Sequence, residues 1–174
     1  MIKVIASVVC AFAAMLMIIL SLATTYWLQW VIVSHNRNIT HYRGLFRHCW
    51  ESRDNVTDEL ISAESDCSND KHTLQDVLKS DWNGAVIALM FLALICHLIA
   101  FIIAIVAAIR KGHPFPSFTV GGFFCAAAIL VVIALLVFTF FNWKDDVFFS
   151  WSYGGGWSTV ALSIIAFVLI MADR

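Results

Sequence analysis

Four stretches of this chain carry no Asp, Glu, Lys or Arg at all: residues 4–36, 82–109, 112–143 and 147–172. A helix needs about 20 mostly apolar residues to cross a hydrocarbon core about 30 Å thick, and each stretch is long enough. A soluble helix of that length would show a polar face; these show none. Of the 174 residues 61% are hydrophobic and 13% charged, against roughly 25% charged in soluble domains. The bilayer is therefore the solvent for most of the chain, and room remains for one compact outer domain. A net charge of −1 without a basic cluster argues against a nucleic-acid partner.

The first stretch raises the question of a signal peptide, with Lys3 as a basic start and Ser21-Leu22-Ala23 as a small-x-small site. Its apolar run is longer than the usual core of 7–15 residues, so a retained span is expected; cleavage would leave three spans and the same loop outside. That loop holds the sequons Asn38-Ile39-Thr40 and Asn55-Val56-Thr57 together with Cys49 and Cys67, while Cys10, Cys96 and Cys125 lie inside apolar runs. Sequons and disulfides both belong to an oxidising, extracytoplasmic compartment. Two free thiols are the alternative. A zinc site is not, because His35, His41, His48 and His72 fit no zinc spacing. Lys3, Arg110, Lys111 and Arg174 flank the opposite side with a single acid, Asp173, whereas the loop side has seven basic and eleven acidic residues. The positive-inside rule then places both termini in the cytosol. All seven tryptophans fall in the outer loops or at the outer helix ends, more one-sided than an interfacial belt requires.

The expected architecture is a left-handed bundle of four transmembrane helices with a small extracellular antiparallel β-sheet, in a single domain. Spans are expected at 4–24, 83–109, 118–141 and 154–172. They are joined by an outer loop at 25–82, a cytosolic loop at 110–117 and a second outer loop at 142–153. Residues 26–33, rich in β-branched and aromatic side chains, read as a strand. Residues 42–50 read as its partner across a turn at 35–38, and residues 51–71 as a polar, mobile stretch. Thr73 reads as the N-cap of a short helix at 74–80. Residues 147–151 read as one more strand able to join the sheet, with Gly154-Gly155-Gly156 opening the last span. Small residues permit close helix approach in lipid; Ala6, Cys10 and Ala14, then Ala100, Ala104 and Ala108, then Gly122 and Ala126 recur every four residues.

Gly44-Leu45-Phe46, followed by Cys49 and Cys67 and preceded by Trp30, resembles the claudin superfamily signature W…GLW-x-x-C…C. That superfamily includes claudins, peripheral myelin protein, epithelial membrane proteins, the lens fibre membrane protein and the gamma subunits of calcium channels and glutamate receptors. Asp81-Trp82-Asn83 and Phe149-Ser150-Trp151-Ser152-Tyr153-Gly154 are similar to its epithelial and lens branch. The resemblance implies a Cys49–Cys67 disulfide. It encloses 17 residues, and a bridge of that length stabilises by about 3 kcal/mol in the chain-entropy model. Gly44 is expected to permit a bend that buries Leu45 and Phe46 on the helix tops. The chain departs from the pattern at Phe46, where tryptophan is usual, in its wide cysteine spacing, and in lacking a PDZ-binding tail and cysteines after spans two and four.

No catalytic constellation is present, and no metal or cofactor is expected. His97 is the one ionisable group at mid-span, a functional candidate by default; a neutral imidazole donating to a neighbouring helix is the plainer expectation. Phe148, Phe149 and Trp151 are the candidate contact residues, with burial beneath the first loop as the competing role. The acidic outer surface would favour cations if it lined a paracellular space. The expected function is cell–cell adhesion, junction or barrier formation, or lateral membrane organisation. It would act at the plasma membrane, at cell contacts, with the bilayer and itself or related four-span proteins as partners in cis or trans. An auxiliary subunit of an ion channel is the alternative.

Overall fold

A computed structural model describes residues 2–34, 37–54, 60–62, 81–109, 116–143 and 147–172. Four helices, α1 (Ile2–Ala23), α2 (Asp81–Ile109), α3 (Ser117–Asn142) and α4 (Trp151–Ala172), are each long and apolar enough to cross a membrane. They close a ring in which α1 packs on α4, α4 on α3 and α3 on α2, while the α1–α2 seam is the least extensive.

What lets these helices approach is a set of small buried residues: Ser7, Ala11 and Ala14 on α1, Ala93, Ala100 and Ala104 on α2, Ala127 and Ala134 on α3, and Ser163 and Ala166 on α4. Two adjacent glycines of α4 serve two neighbours at once. A Cβ on Gly155 would lie 2.8 Å from Ser21 Oγ of α1, and one on Gly156 would lie 2.8 Å from a Leu135 methyl of α3. The expected small-residue repeat on the third span falls elsewhere. Gly122 and Ala126 are exposed, and the helix packs instead through Gly121, Phe124, Ala127 and Ala128. On α1, Ala6 and Cys10 are only half-buried. A helix that is apolar all round offers no polar face to mark its buried side, so the register of contact is set by shape alone.

At one end of the bundle sits a five-stranded sheet in the order β4-β3-β2-β1-β5. Its strands are β1 (Leu28–Ser34), β2 (Arg37–Arg43), β3 (His48–Asp54), β4 (Leu60–Ser62) and β5 (Phe148–Phe149). All described pairings are antiparallel. The strand expected at 42–50 is a correction: β1 pairs with Arg37–Arg43, and residues 42–50 instead hold the turn that joins β2 to β3. Glu51–Asp54 continue β3 and Leu60–Ser62 form β4, so those parts of the stretch expected to be mobile are strand. Trp151, expected at the end of a strand, begins α4, which places Gly154-Gly155-Gly156 inside the helix. The expected helix at 74–80 and its cap, the loop at 110–115, Asn55 and Cys67 lie outside the described residues.

A Cβ at Gly44 would sit 2.6 Å from Thr24 O and 2.7 Å from Thr25 Cα, backbone atoms that cannot swing away. Gly44→Ala should cost about 1–3 kcal/mol and lower the Tm measured in detergent. Gly122→Ala adds the same methyl where nothing lies within 4 Å and should leave Tm unchanged or slightly raised. Equal Tm values for the two variants would contradict the packing described.

Candidate interaction surface at the sheet end

One hydrogen bond closes the turn between β2 and β3, and two contacts hold it against the helix tops. Gly44 N–H donates to Arg47 O at 2.8 Å, Asn83 Nδ2 of α2 donates to Leu45 O at 3.1 Å, and Gly44 abuts the backbone at the end of α1. Gly44 thus stands at the bend between β2 and β3 and also permits close approach of two backbones. Leu45 is buried in the core, whereas Phe46, expected to bury beside it, is 41% exposed. Cys49 is buried and disulfide-bonded; Cys10, Cys96 and Cys125 are free.

Among the tryptophans it is Trp27, not Trp30, that fills the junction. Trp27 is fully buried, its indole N–H donates to Ser21 O at 2.6 Å, and its ring meets Phe138 edge-on at 4.7 Å. Its backbone N–H reaches Arg43 O, and its carbonyl accepts from Ser150 N–H. Ser152 N–H donates to Tyr26 O. Below these bonds, Ser21 Oγ donates to Ser152 O at 2.9 Å. Thr24 Oγ1 gives its proton to Leu20 O, so the Ser152 hydroxyl donates to Thr24 Oγ1. Arg43 lies over the Trp82 ring at 5.7 Å, tying the sheet to α2.

β5 brings the second loop into the sheet of the first, Leu28 opposite Phe149 and Gln29 opposite Phe148. The three contact candidates divide there. Phe149 packs inward against Tyr153 and Phe138. Phe148 is 70% exposed, and Trp151 is exposed while stacking on Tyr26. Val31, Ile32 and Val33 are also exposed along β1. Asn38 is half-buried on β2, opposite Val33.

Trp30 belongs to a different cluster, which appears only once the strands are in register. Trp30 faces His41, and His41 faces Trp50. His41 Nδ1 and His48 Nε2 lie 3.3 Å apart, and the indole of Trp30 stacks on both imidazoles within 11° of parallel. One N–H joins the two rings, so one nitrogen donates and the other accepts. Burial first, and the neighbouring His48 charge second, hold His41 below its ordinary value near 6.5. The pair was visible in the sequence only as two histidines placed either side of the Gly44–Arg47 turn.

His97 takes no part in this surface. It is fully buried at mid-helix, with Nδ1 3.0 Å from Ala93 O and Nε2 2.8 Å from Ser163 Oγ of α4. A carbonyl only accepts, so Nδ1 carries a proton. Ser163 Oγ also donates to Thr159 O at 2.6 Å, so its one proton is engaged within α4, and the contact between Nε2 and Ser163 Oγ is what links the imidazole of α2 to that helix. Phe124 of α3 meets the ring edge-on at 5.8 Å, so three helices converge on this imidazole.

Among the described residues no group of three His, Cys, Asp or Glu is arranged to hold a metal. The arrangement presents a rigid, aromatic-rimmed platform on a membrane bundle. Residues 9–172 match the family described as PMP-22/EMP/MP20/Claudin tight junction. The chain is 27% identical over 162 residues to the human protein named claudin domain-containing protein 2, covering 92% of this chain and 80% of that one. It is 25% identical over 178 residues to human lens fiber membrane intrinsic protein, covering 93% and 86%. A 49-residue segment is 47% identical to mouse claudin domain-containing protein 2, covering 27% and 29%.

The lowered His41 value predicts how stability should respond to pH. With its folded value depressed, His41 binds protons more readily in the unfolded chain. Its contribution is therefore complete above about pH 6.5 and is lost as pH falls through the lower folded value. Arg37, Arg43, Arg47, Glu51, Arg53 and Asp54 are the other charged residues of the β2–β3 hairpin. Tm measured at pH 7.5 and pH 5.5 should fall more in the parent protein than in His41→Phe, and an equal or smaller fall would contradict the assignment.

Proposed function

This chain belongs to the PMP-22/EMP/MP20/claudin family, and we propose that it is a non-enzymatic plasma-membrane protein. In this reading it uses its sheet end for cell–cell adhesion, junction formation or lateral organisation of the membrane. The sheet end faces the extracellular space and both termini face the cytosol. The two sequons and the basic residues flanking the opposite helix ends support that orientation. Cys49 pairs with Cys67 across the loop.

The observation that carries the reading is β5, which joins the two loops into one platform. Its rim exposes Phe148, Trp151 and the Val31–Val33 row. Exposed apolar groups gathered at one end of a molecule suit a contact site, and aromatics dominate binding energy once docked. The auxiliary-subunit reading has its own support. The exposed small-residue stripe Gly122, Cys125 and Ala126 on α3 leaves a helix face open to close approach by a partner span.

Expression in cells that form no contacts of their own separates the two. Adhesion predicts enrichment where two expressing cells touch, reduced by at least about half in a Phe148→Ser, Trp151→Ser double variant. Even distribution, unchanged by that variant, together with a co-purifying channel lost in Gly122→Leu, would overturn adhesion in favour of the second reading.

A further inference from the structure

The loosest seam of the bundle is not empty surface. Between α1 and α2, next to the sheet, a cleft of about 500 Å³ opens, comparable to one long acyl chain. Ile19 of α1 and Phe91 and Leu94 of α2 form its walls, and Phe46, Arg47 and Thr25 form its upper rim. Its helical lining, Ile19, Leu22 and Ala23 on α1 and Phe91 and Leu94 on α2, covers about one turn of each helix. Its interior is hydrocarbon-like while its mouth carries a guanidinium and a hydroxyl.

The rim is built rather than incidental. Phe46 and Arg47 are exposed, yet their backbone is fixed by the Gly44–Arg47 hydrogen bond, the Asn83–Leu45 hydrogen bond and the abutment of Gly44 on Thr24. Arg47 is thereby set at the level where α1 ends. A guanidinium is a fork suited to two phosphate oxygens, and an exposed phenyl ring beside it at the mouth offers apolar cover for the glycerol end.

We infer that this cleft binds one glycerophospholipid of the leaflet on the sheet side. An acyl chain lies against Ile19, Phe91 and Leu94, and the phosphate lies at Arg47. The site closes the one seam that the helices themselves pack least. It does not depend on the adhesion reading, since it requires only that the sheet end lie at a membrane surface.

Native mass spectrometry of the full chain in detergent tests it, with added palmitoyl-oleoyl phosphatidylcholine or the matching diacylglycerol, which lacks the phosphate. One phosphatidylcholine should survive micelle removal, and diacylglycerol should bind about tenfold more weakly. Arg47→Gln should weaken the phospholipid by about the same factor. Ala23→Trp, which fills the cleft from an exposed position, should abolish retention. Equal binding of the two lipids by the parent protein would overturn phosphate recognition without any variant. Retention unchanged in both variants would show ordinary annular lipid and overturn the site.

Discussion

One buried indole governs how the water-facing half of this protein sits on its membrane half. Trp27 lies four residues beyond the end of α1 and one before β1, and belongs to neither the helix nor the strand. Its ring descends among Phe138 and Tyr153, its N–H caps Ser21 O, and its backbone holds β2 on one side and the approach to α4 on the other. A peptide carbonyl freed at a helix end must find a donor, and near lipid a missing partner costs more than in water. The ring, the helix end and both outer loops therefore settle together.

From that point the architecture follows. Because Ser150 and Ser152 bond to residues 26 and 27, the short second loop enters the sheet as β5 and α4 starts at Trp151. Because α4 is drawn close there, Gly155 and Gly156 are the residues that fit between Ser21 and Leu135. Lower in the bundle, His97, Ser163 and Phe124 provide a second, polar point of convergence. The α1–α2 seam, the least extensive of the four, is left open next to the sheet and lined at its upper end by the Phe46–Arg47 turn.

Much of this was legible in the sequence, for physical reasons that differ by element. Long charge-free runs bounded by Lys, Arg, Asp and Trp have few alternatives in water, so four membrane helices could be read directly. The Gly44-Leu45-Phe46 and cysteine pattern pointed to the family. Strand parity was harder. Trp27 and Trp30 stand three residues apart in one β-prone segment, and alternation alone does not say where the strand begins; with β1 starting at Leu28, Trp27 escapes it. The packing face of α3 was illegible because Gly121 and Gly122 are adjacent small residues in a helix apolar on every side. Phe46 was assigned to the core by its hydrophobicity, yet a residue bordering lipid incurs no penalty for exposure. The Trp30–His41–His48 stack depends on cross-strand register, which no local pattern encodes.

Hydrogen exchange on a Trp27→Leu variant, compared with the parent protein in the same detergent, tests the junction most directly. If the indole holds both loops to the bundle, the amides of Gly44, Ser150 and Ser152 should lose protection together while those in the middle of α2 and α3 keep theirs. Undisturbed protection at Ser150 and Ser152 would mean that the second loop is held to the sheet without Trp27, and the account given would be wrong.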